Sequence, residues 1–166
     1  MIGGGFTWSD FCFMLEGAWV SIVVTAFAVV FGTMAGVVLG QVRAVSPIYV
    51  NWPLGALLDV FRSVPLLIQL VIANSFQSII GLSWSPFTVS WVVLALYTSA
   101  YCTEIVRAGI LAVPYITRRA CRSLGMTYWQ DLRHIVAPIA FRVALPGMTG
   151  LIVAVVKDSS LVLWIG

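Results

Sequence analysis

Two long runs of uncharged residues constrain this sequence more than any other feature. Residues 17–42 carry no charged side chain over 26 positions, and residues 63–103 carry none over 41 positions. Because about 20 apolar residues suffice for one helical crossing of a bilayer, the first run is long enough for one crossing and the second for nearly two. We therefore predict an all-α integral membrane protein.

The composition excludes several other classes of protein. The chain is 61% hydrophobic and 9% charged, whereas soluble domains carry roughly 25% charged residues. A soluble enzyme is therefore excluded, and the net charge of +3 is interpreted as membrane topology rather than as affinity for nucleic acid. Three widely spaced cysteines, Cys12, Cys102 and Cys121, predict neither a disulfide scaffold nor a metal site. We predict no catalytic residue.

Four crossings are predicted within a single domain spanning residues 1–166. They cover about 17–41, 49–80, 87–109 and 139–156. A single helix over residues 49–80 would measure about 48 Å, which is more than the thickness of the hydrocarbon core, roughly 30 Å. Its start is therefore expected outside the core, with a kink at Pro65.

The first crossing contains glycines at a spacing of four: Gly32, Gly36 and Gly40. Residues at this spacing lie on one helix face, where glycines allow a second helix to approach closely. We expect this stripe to serve helix packing rather than ligand contact.

Basic residues are concentrated in one segment, residues 104–142. Six of the nine in the chain lie there: Arg107, Arg118, Arg119, Arg122, Arg133 and Arg142. The positive-inside rule therefore predicts that this segment is cytoplasmic and that the N-terminus is external.

The loop at residues 110–138 contains two predicted short helices. The first, about 117–124, would turn its arginines outward and end at Gly125, and the second, about 129–137, would end at Pro138. Two interpretations remain open for this basic loop. It is either a docking surface for a soluble partner or an anchor to anionic lipid.

Three ordered motifs resemble those of one transporter family. The loop reads Glu104-Ile-Val-Arg107-Ala-Gly-Ile-Leu-Ala-Val-Pro114, then Arg119-Ala120-Cys121, Gly125 and Ile135-Val-Ala-Pro138. This pattern is similar to the "EAA" loop of permease subunits in bacterial ATP-driven (ABC) importers. Residues 61–70 (FRSVPLLIQL) and 157–161 (KDSSL) resemble segments of the polar amino-acid subfamily, which serves substrates such as histidine, glutamate and glutamine.

This resemblance implies a type I importer permease (MetI-like) fold in a bacterial inner membrane. Such permeases have five core crossings, so four are expected here, with residues 157–166 as the external start of a missing last segment. Two permease subunits, identical or different, would form the pore, and an external binding protein would deliver the substrate. The permease would bind no cofactor, because separate ATPase subunits bind ATP and Mg and hydrolyse the nucleotide.

The resemblance also implies that the first loop helix docks onto the ATPase. The residues assigned to this coupling role are Arg118, Arg119, Ala120, Cys121, Gly125 and Met126. Gly125 fits a helix end that needs a left-handed residue. Arg119 replaces the usual glutamate, and this inverts the charge offered to the ATPase. An acidic ATPase site, a second permease subunit with the standard loop, or weak coupling would each explain this departure.

The candidate substrate pathway comprises Lys157, Asp158, Ser159 and Arg62. An amino-acid carboxylate could meet Lys157 and its ammonium group Asp158; alternatively, the two charges cap the helix end. Arg62 is expected to pair with Asp59 as an interfacial anchor, or else to contact substrate. Because residues 150–156 contain no acidic side chain, neutral or acidic amino acids are favoured as substrates.

The alternative function is a non-transporting membrane subunit that recruits a cytoplasmic partner through the basic loop.

Overall fold

The computed structural model describes residues 7–164, with side-chain environments described for residues 7–162. In this part of the chain, helices are joined by short turns, and there is no strand. Its α-helices are α1 (Trp8–Val45), α2 (Ile48–Ser63), α3 (Leu66–Ile80), α4 (Pro86–Leu111), α5 (Tyr115–Ser123), α6 (Tyr128–Asp131) and α7 (Ala137–Asp158). A π-helical segment, Leu132–Val136, joins α6 to α7, and a 3₁₀ segment, Ser159–Trp164, follows α7.

Three helical spans are long and apolar enough to cross a membrane. They are α1, α4 and the continuous span Tyr128–Val162. The pair α2 and α3 passes the same test together, so that it provides a fourth span if it is counted as one. The predicted crossings 17–41 and 139–156 lie inside α1 and α7, and 87–109 lies inside α4.

The predicted single helix over 49–80 is wrong. The structure has two helices, α2 and α3, which meet at 99°. Pro65 has no N–H to donate and holds Val64 in an extended conformation (φ −88°, ψ 127°), so α2 ends at Ser63 instead of bending.

Side chains satisfy the backbone carbonyls that this break leaves free. The side-chain amide of Gln69 donates to the carbonyl oxygens of Phe61 (2.6 Å) and Val64 (2.8 Å). Tyr101 of α4 donates its hydroxyl to the carbonyl oxygen of Arg62 at 3.3 Å. Because unpaired carbonyls are costly away from water, these bonds stabilise the bend between α2 and α3.

The predicted helix over 129–137 does not end at Pro138. The chain continues without a break from α6 through the π-helical segment into α7, and Pro138 lies in the first turn of α7. A proline in a helix removes one hydrogen bond and crowds the preceding turn, and a wider π-helical turn accommodates it. Only α5 is therefore a separate helix of the loop.

A glycine stripe brings α1 against the central helix α4. A Cβ atom on Gly32 would lie 2.6 Å from Cβ of Thr98, and one on Gly36 would lie 2.5 Å from Cβ of Cys102. A Cβ atom on Gly40 would lie 2.8 Å from the carbonyl oxygen of Thr103. The stripe in α1 thus faces α4 along its length, at a separation that only glycine permits.

Candidate functional site

A buried ion cluster joins three helices close to the start of the loop. Arg43 of α1 is 8% exposed, and its Nη1 lies 2.8 Å from Oε1 of Glu104 in α4. Its Nε donates to Oδ1 of Asn51 in α2 at 3.0 Å, and Nη1 of Arg107 lies 3.5 Å from the other Glu104 oxygen. A Cβ atom on Gly55 would lie 2.6 Å from Nη2 of Arg43, so α2 packs directly on the guanidinium group.

This cluster was not predicted from the sequence. One signal was available. Glu104 and Arg107 stand at i and i+3, so that one helix face carries both charges at the edge of an apolar run. A partly buried ion pair is stable only when further hydrogen bonds satisfy its remaining donors and acceptors, so a third polar partner could have been expected.

The helix α5 ends in the arrangement predicted for Gly125. Gly125 adopts φ +79°, and its N–H donates to the carbonyl oxygen of Arg122 at 3.0 Å. The N–H of Met126 donates to the carbonyl oxygen of Cys121 at 3.1 Å. These two bonds form a Schellman motif, in which glycine adopts the left-handed conformation with little strain, and the predicted left-handed conformation of Gly125 is confirmed.

Two of the predicted coupling residues do not face outward. Cys121 is 7% exposed and lies on the side of α5 that packs against the chain, so it anchors the helix rather than meeting a partner. Arg118 is half-buried, and its Nε lies 3.3 Å from Oδ2 of Asp131, which is itself buried. The remaining predicted residues are more accessible: Arg119, Ala120 and Gly125 are exposed, and Met126 is partly buried.

The ion pair between Arg118 and Asp131 is expected to hold α5 in place. Replacing Arg118 with glutamine leaves the buried Asp131 carboxylate without its ionic partner, so α5 should open more often. We expect amide hydrogen exchange over residues 115–123 to accelerate about tenfold, which corresponds to roughly 1.4 kcal/mol. The matched control is Arg122→Gln, at an exposed arginine of the same helix. Equal exchange in both variants would contradict a positioning role for the pair.

Three of the four predicted substrate residues, Lys157, Asp158 and Ser159, lie at the end of α7, whereas Arg62 lies in the last turn of α2. Lys157 is exposed and Asp158 is partly buried; consecutive helical residues point about 100° apart, so the two charges do not share one face. Ser159 is buried, and its hydroxyl donates to the carbonyl oxygen of Val156 at 2.7 Å. The Ser159 oxygen can therefore accept a hydrogen bond from a ligand, but its hydroxyl proton is already donated to Val156.

Tyr101 of α4, which the sequence did not single out, contacts the bend between α2 and α3. It donates its hydroxyl to the carbonyl oxygen of Arg62, whose guanidinium pairs with Asp59. Tyr97 stands one turn before Tyr101, and the two ring centroids lie 4.7 Å apart. A pair of tyrosines on α4 thus lies beside Arg62.

No group of three or more His, Cys, Asp or Glu side chains within residues 7–162 could hold a metal ion. The end of α7 carries two side chains of opposite charge, of which Lys157 is exposed and Asp158 partly buried.

Apolar spans, a bent helix pair and a short separate loop helix together define a helical membrane protein that spans the bilayer several times. The chain belongs to the family of binding-protein-dependent transport system inner membrane components, whose profile matches residues 28–166. It is a multi-pass membrane protein. Permeases of this family are not themselves catalytic, and they work with ATPase and binding-protein partners.

Named relatives resemble the chain over nearly its whole length. The glutamate/aspartate import permease protein GltK of Escherichia coli is 32% identical over 169 residues, which cover 95% of this chain and 75% of the relative. The arginine transport system permease protein ArtQ of Bacillus subtilis is 28% identical over 155 residues, which cover 93% and 71%.

Two solved structures confirm the predicted type I importer permease fold. The crystal structure of an amino acid ABC transporter with histidines matches at a TM-score of 0.77 and 30% identity, covering 95% of this chain and 77% of that one. An inward-facing structure of the MetNI methionine ABC transporter matches at a TM-score of 0.81 and 22% identity, covering 94% and 76%.

Proposed function

We propose that this chain forms the membrane pathway for polar amino acids in an ATP-driven importer. The observation that carries this proposal is the 32% identity to a glutamate/aspartate import permease across 95% of the chain. The structural match to an amino acid ABC transporter with histidines supports the same substrate class.

The substrate would bind beside the end of α7. Its carboxylate would meet Lys157 and its ammonium group Asp158, with Arg62 contributing further positive charge on the pathway. Charged side chains are costly beside apolar helices unless they pair or contact a ligand, and Lys157 has no salt-bridge partner among the described residues. Because α7 carries no acidic residue at 150–156, a cationic substrate side chain would find no partner there. Neutral or acidic amino acids are the proposed substrates.

Energy would come from partner ATPase subunits, which bind ATP and Mg, while this chain binds no cofactor. Two permease subunits in lipid would enclose the pathway, and an external binding protein would load it. The N-terminus would lie outside a bacterial inner membrane, and residues 104–142 would lie in the cytoplasm. Closure of the ATPase pair would push α5 and favour the outward-open state over the inward-open one.

Replacing Lys157 with alanine tests the substrate site. We expect the concentration for half-maximal uptake to rise about tenfold or more, because a hydrogen bond to a charged group contributes roughly 1.5–3 kcal/mol. Uptake of radiolabelled glutamate into proteoliposomes checks this, with subunit assembly measured in parallel. The control is Lys157→Arg, which keeps the charge. Normal uptake by the alanine variant would show that Lys157 only caps α7.

A competition panel tests the substrate class in the same vesicles. Glutamate and glutamine should compete with the labelled substrate, whereas arginine should compete weakly. Strong competition by arginine alone would contradict the proposed preference for neutral or acidic amino acids.

A further inference from the structure

A groove of about 220 Å³ runs along one face of α2 and contains none of the residues of the proposed substrate pathway. Its residues on α2 recur every three or four positions, at Ile48, Trp52, Gly55 and Asp59, so they share one side of the helix. Arg43 of α1 lines the groove as well. The groove therefore combines a guanidinium group with a carboxylate, and these two groups suit a polar ligand that carries both charges.

Arg43 carries positive charge that its own contacts do not balance. Its Nε donates to Asn51 and its Nη1 to Glu104, so Nη2 takes no part in either bond. Nη2 is the Arg43 nitrogen closest to Gly55, whose added Cβ would lie 2.6 Å from it. Glu104 also pairs with Arg107, so one carboxylate serves two guanidinium groups and the cluster has one positive charge in excess. An anion in the groove would supply the missing negative charge.

An acceptor stands one helical turn further along the groove. Asp59 follows Gly55 at i+4, about 6 Å along the helix axis, and its side chain is 61% exposed. Asp59 pairs with Arg62 through Oδ1, and the remaining lone pairs of the carboxylate can accept from a ligand. The groove thus offers an anion site beside Gly55 and an ammonium site about one turn away.

The spacing of these two sites selects the ligand. In phosphoethanolamine, one oxygen and two carbon atoms separate the phosphorus from the ammonium nitrogen, and an extended bridge of this length spans about one helical turn. In the backbone of an α-amino acid, a single carbon separates the carboxylate from the ammonium group, and this bridge is too short to reach both sites. Guanidinium groups also pair well with phosphate oxygens.

The helix α2 crosses α4 instead of running beside it. Near the start of α2, Asn51 meets Arg43, which pairs with Glu104, and at its end the carbonyl oxygen of Arg62 accepts from Tyr101. Eleven residues of α2, about 16 Å, thus correspond to three residues of α4, about 4.5 Å. Because α4 is long and apolar enough to span a membrane, α2 lies closer to the membrane plane than to its normal.

The groove lies at the level of the lipid headgroups. Arg43 is the first charged residue after the uncharged run 17–42, which α1 carries through the membrane. Tyr49 and Trp52, in the first turns of α2, are 86% and 72% exposed, and rings of these two kinds are enriched at membrane–water boundaries. Phospholipid headgroups therefore surround the opening of the groove.

We propose that the groove along α2 binds a phospholipid with a phosphoethanolamine headgroup. The phosphate accepts from Nη2 of Arg43 and balances the excess charge of the cluster, and the ammonium group donates to Asp59. The bound lipid joins α1, α2 and α4 through the cluster, so it stabilises the packing of α2 on the two spanning helices. Lipid binding at α2 does not depend on whether the chain transports amino acids.

Lipid retention by the purified complex tests the chemistry of the headgroup. The chain and its accompanying subunits would be delipidated in detergent and offered phosphatidylethanolamine, phosphatidylcholine or phosphatidylglycerol with identical acyl chains. Native mass spectrometry would count the bound lipids. The choline headgroup keeps the phosphate but has no N–H to donate, and the glycerol headgroup has no cation.

We expect about fivefold more bound phosphatidylethanolamine than either of the other lipids, which is the factor for one exposed ionic contact. Equal retention of the ethanolamine and choline lipids, or a preference for phosphatidylglycerol, would overturn the proposal.

Replacing Asp59 with asparagine removes the ionic partner of the ammonium group. The variant should retain ethanolamine and choline lipids equally, because both still offer the phosphate to Arg43. The matched control is Glu16→Gln, at an exposed acidic residue of α1, which should keep the preference for the ethanolamine lipid. The proposal fails if Asp59→Asn keeps the same preference as the wild type.

Replacing Gly55 with alanine tests the phosphate contact. The new Cβ would lie 2.6 Å from Nη2 of Arg43 and would take the space beside this donor. We expect retention of the ethanolamine lipid to fall about fivefold, whereas Gly17→Ala, which adds a Cβ in open space, should retain it fully. If the Gly55→Ala variant does not fold, the comparison of Asp59→Asn with the wild type decides alone. Wild-type retention by a folded Gly55→Ala variant would contradict the proposed phosphate site.

Discussion

Replacing Glu104 with glutamine is expected to destabilise the folded chain by about 3 kcal/mol. Arg43 is 8% exposed, and Glu104 is the acidic group that pairs with it, at 2.8 Å. Removing one partner of a buried ion pair leaves the other charge uncompensated, which typically costs 3–5 kcal/mol. Since Glu104 is itself 25% exposed, we expect the low end of this range, about 3 kcal/mol.

Thermal unfolding in detergent measures this effect. The matched control is Glu16→Gln, which makes the same change at an exposed position of α1 and should leave the midpoint nearly unchanged. The Asn51 amide would still accept from Arg43, so the loss reports the charge pair rather than the whole cluster. Equal midpoints for the two variants would contradict the structural role assigned to the buried cluster.

Replacing Gly36 with valine is expected to force α1 away from α4. The first side-chain carbon alone would lie 2.5 Å from Cβ of Cys102 and 2.8 Å from its sulfur. Real carbon atoms do not approach so closely, and neither neighbour is the flexible end of a long side chain. Overpacking of this kind costs typically 1–3 kcal/mol, and we expect about 3 kcal/mol here because the two backbones must separate.

The control for this variant lies on the same helix. Gly17→Val adds the same side chain to α1 where no atom lies within 4 Å of the new Cβ, so it should be tolerated. The proportion of protein that remains monodisperse in detergent, together with the unfolding midpoint, compares the two variants. Similar behaviour of both would show that the glycine stripe does not set the distance between α1 and α4.

The glycine stripe illustrates what could be predicted from the sequence. Three glycines at a spacing of four allow close packing, and the structure places all three against α4. The helical segments were also predictable, since hydropathy and proline positions mark them. The helix that packs against the stripe could not be predicted, because the spacing of the glycines in α1 does not indicate which helix they contact.

The break at Pro65 was located correctly although a kink was expected there, whereas the helix end predicted at Pro138 is absent. A proline permits a kink, a stop or a continued helix, and distant contacts decide among these outcomes. At Pro65 the bonds from Gln69 and Tyr101 stabilise a 99° turn, whereas at Pro138 a π-helical turn lets the helix continue. Tyr101 lies 39 positions from Arg62, so local sequence does not reveal the choice.

In the candidate site, too, features set by local sequence were predictable, and contacts between distant residues were not. Exposed Arg119 and the left-handed Gly125 followed from local pattern, since charge and turn chemistry are local properties. The pair of Arg43 with Glu104 joins residues 61 positions apart, and the pair of Arg118 with Asp131 depends on how α5 folds back on α6. Both required the tertiary structure, because either arginine alone resembles an ordinary solvated charge.

Stimulated ATP hydrolysis tests the central claim most directly. The chain would be purified with the subunits that accompany it, reconstituted in lipid, and supplied with ATP, Mg and an external binding protein, with and without glutamate. The transport account predicts that glutamate-loaded binding protein raises hydrolysis several-fold and drives glutamate into the vesicles. An unchanged rate of hydrolysis on addition of the loaded binding protein, with no glutamate uptake, would contradict the transport account. That result would favour a membrane subunit that only recruits a cytoplasmic partner.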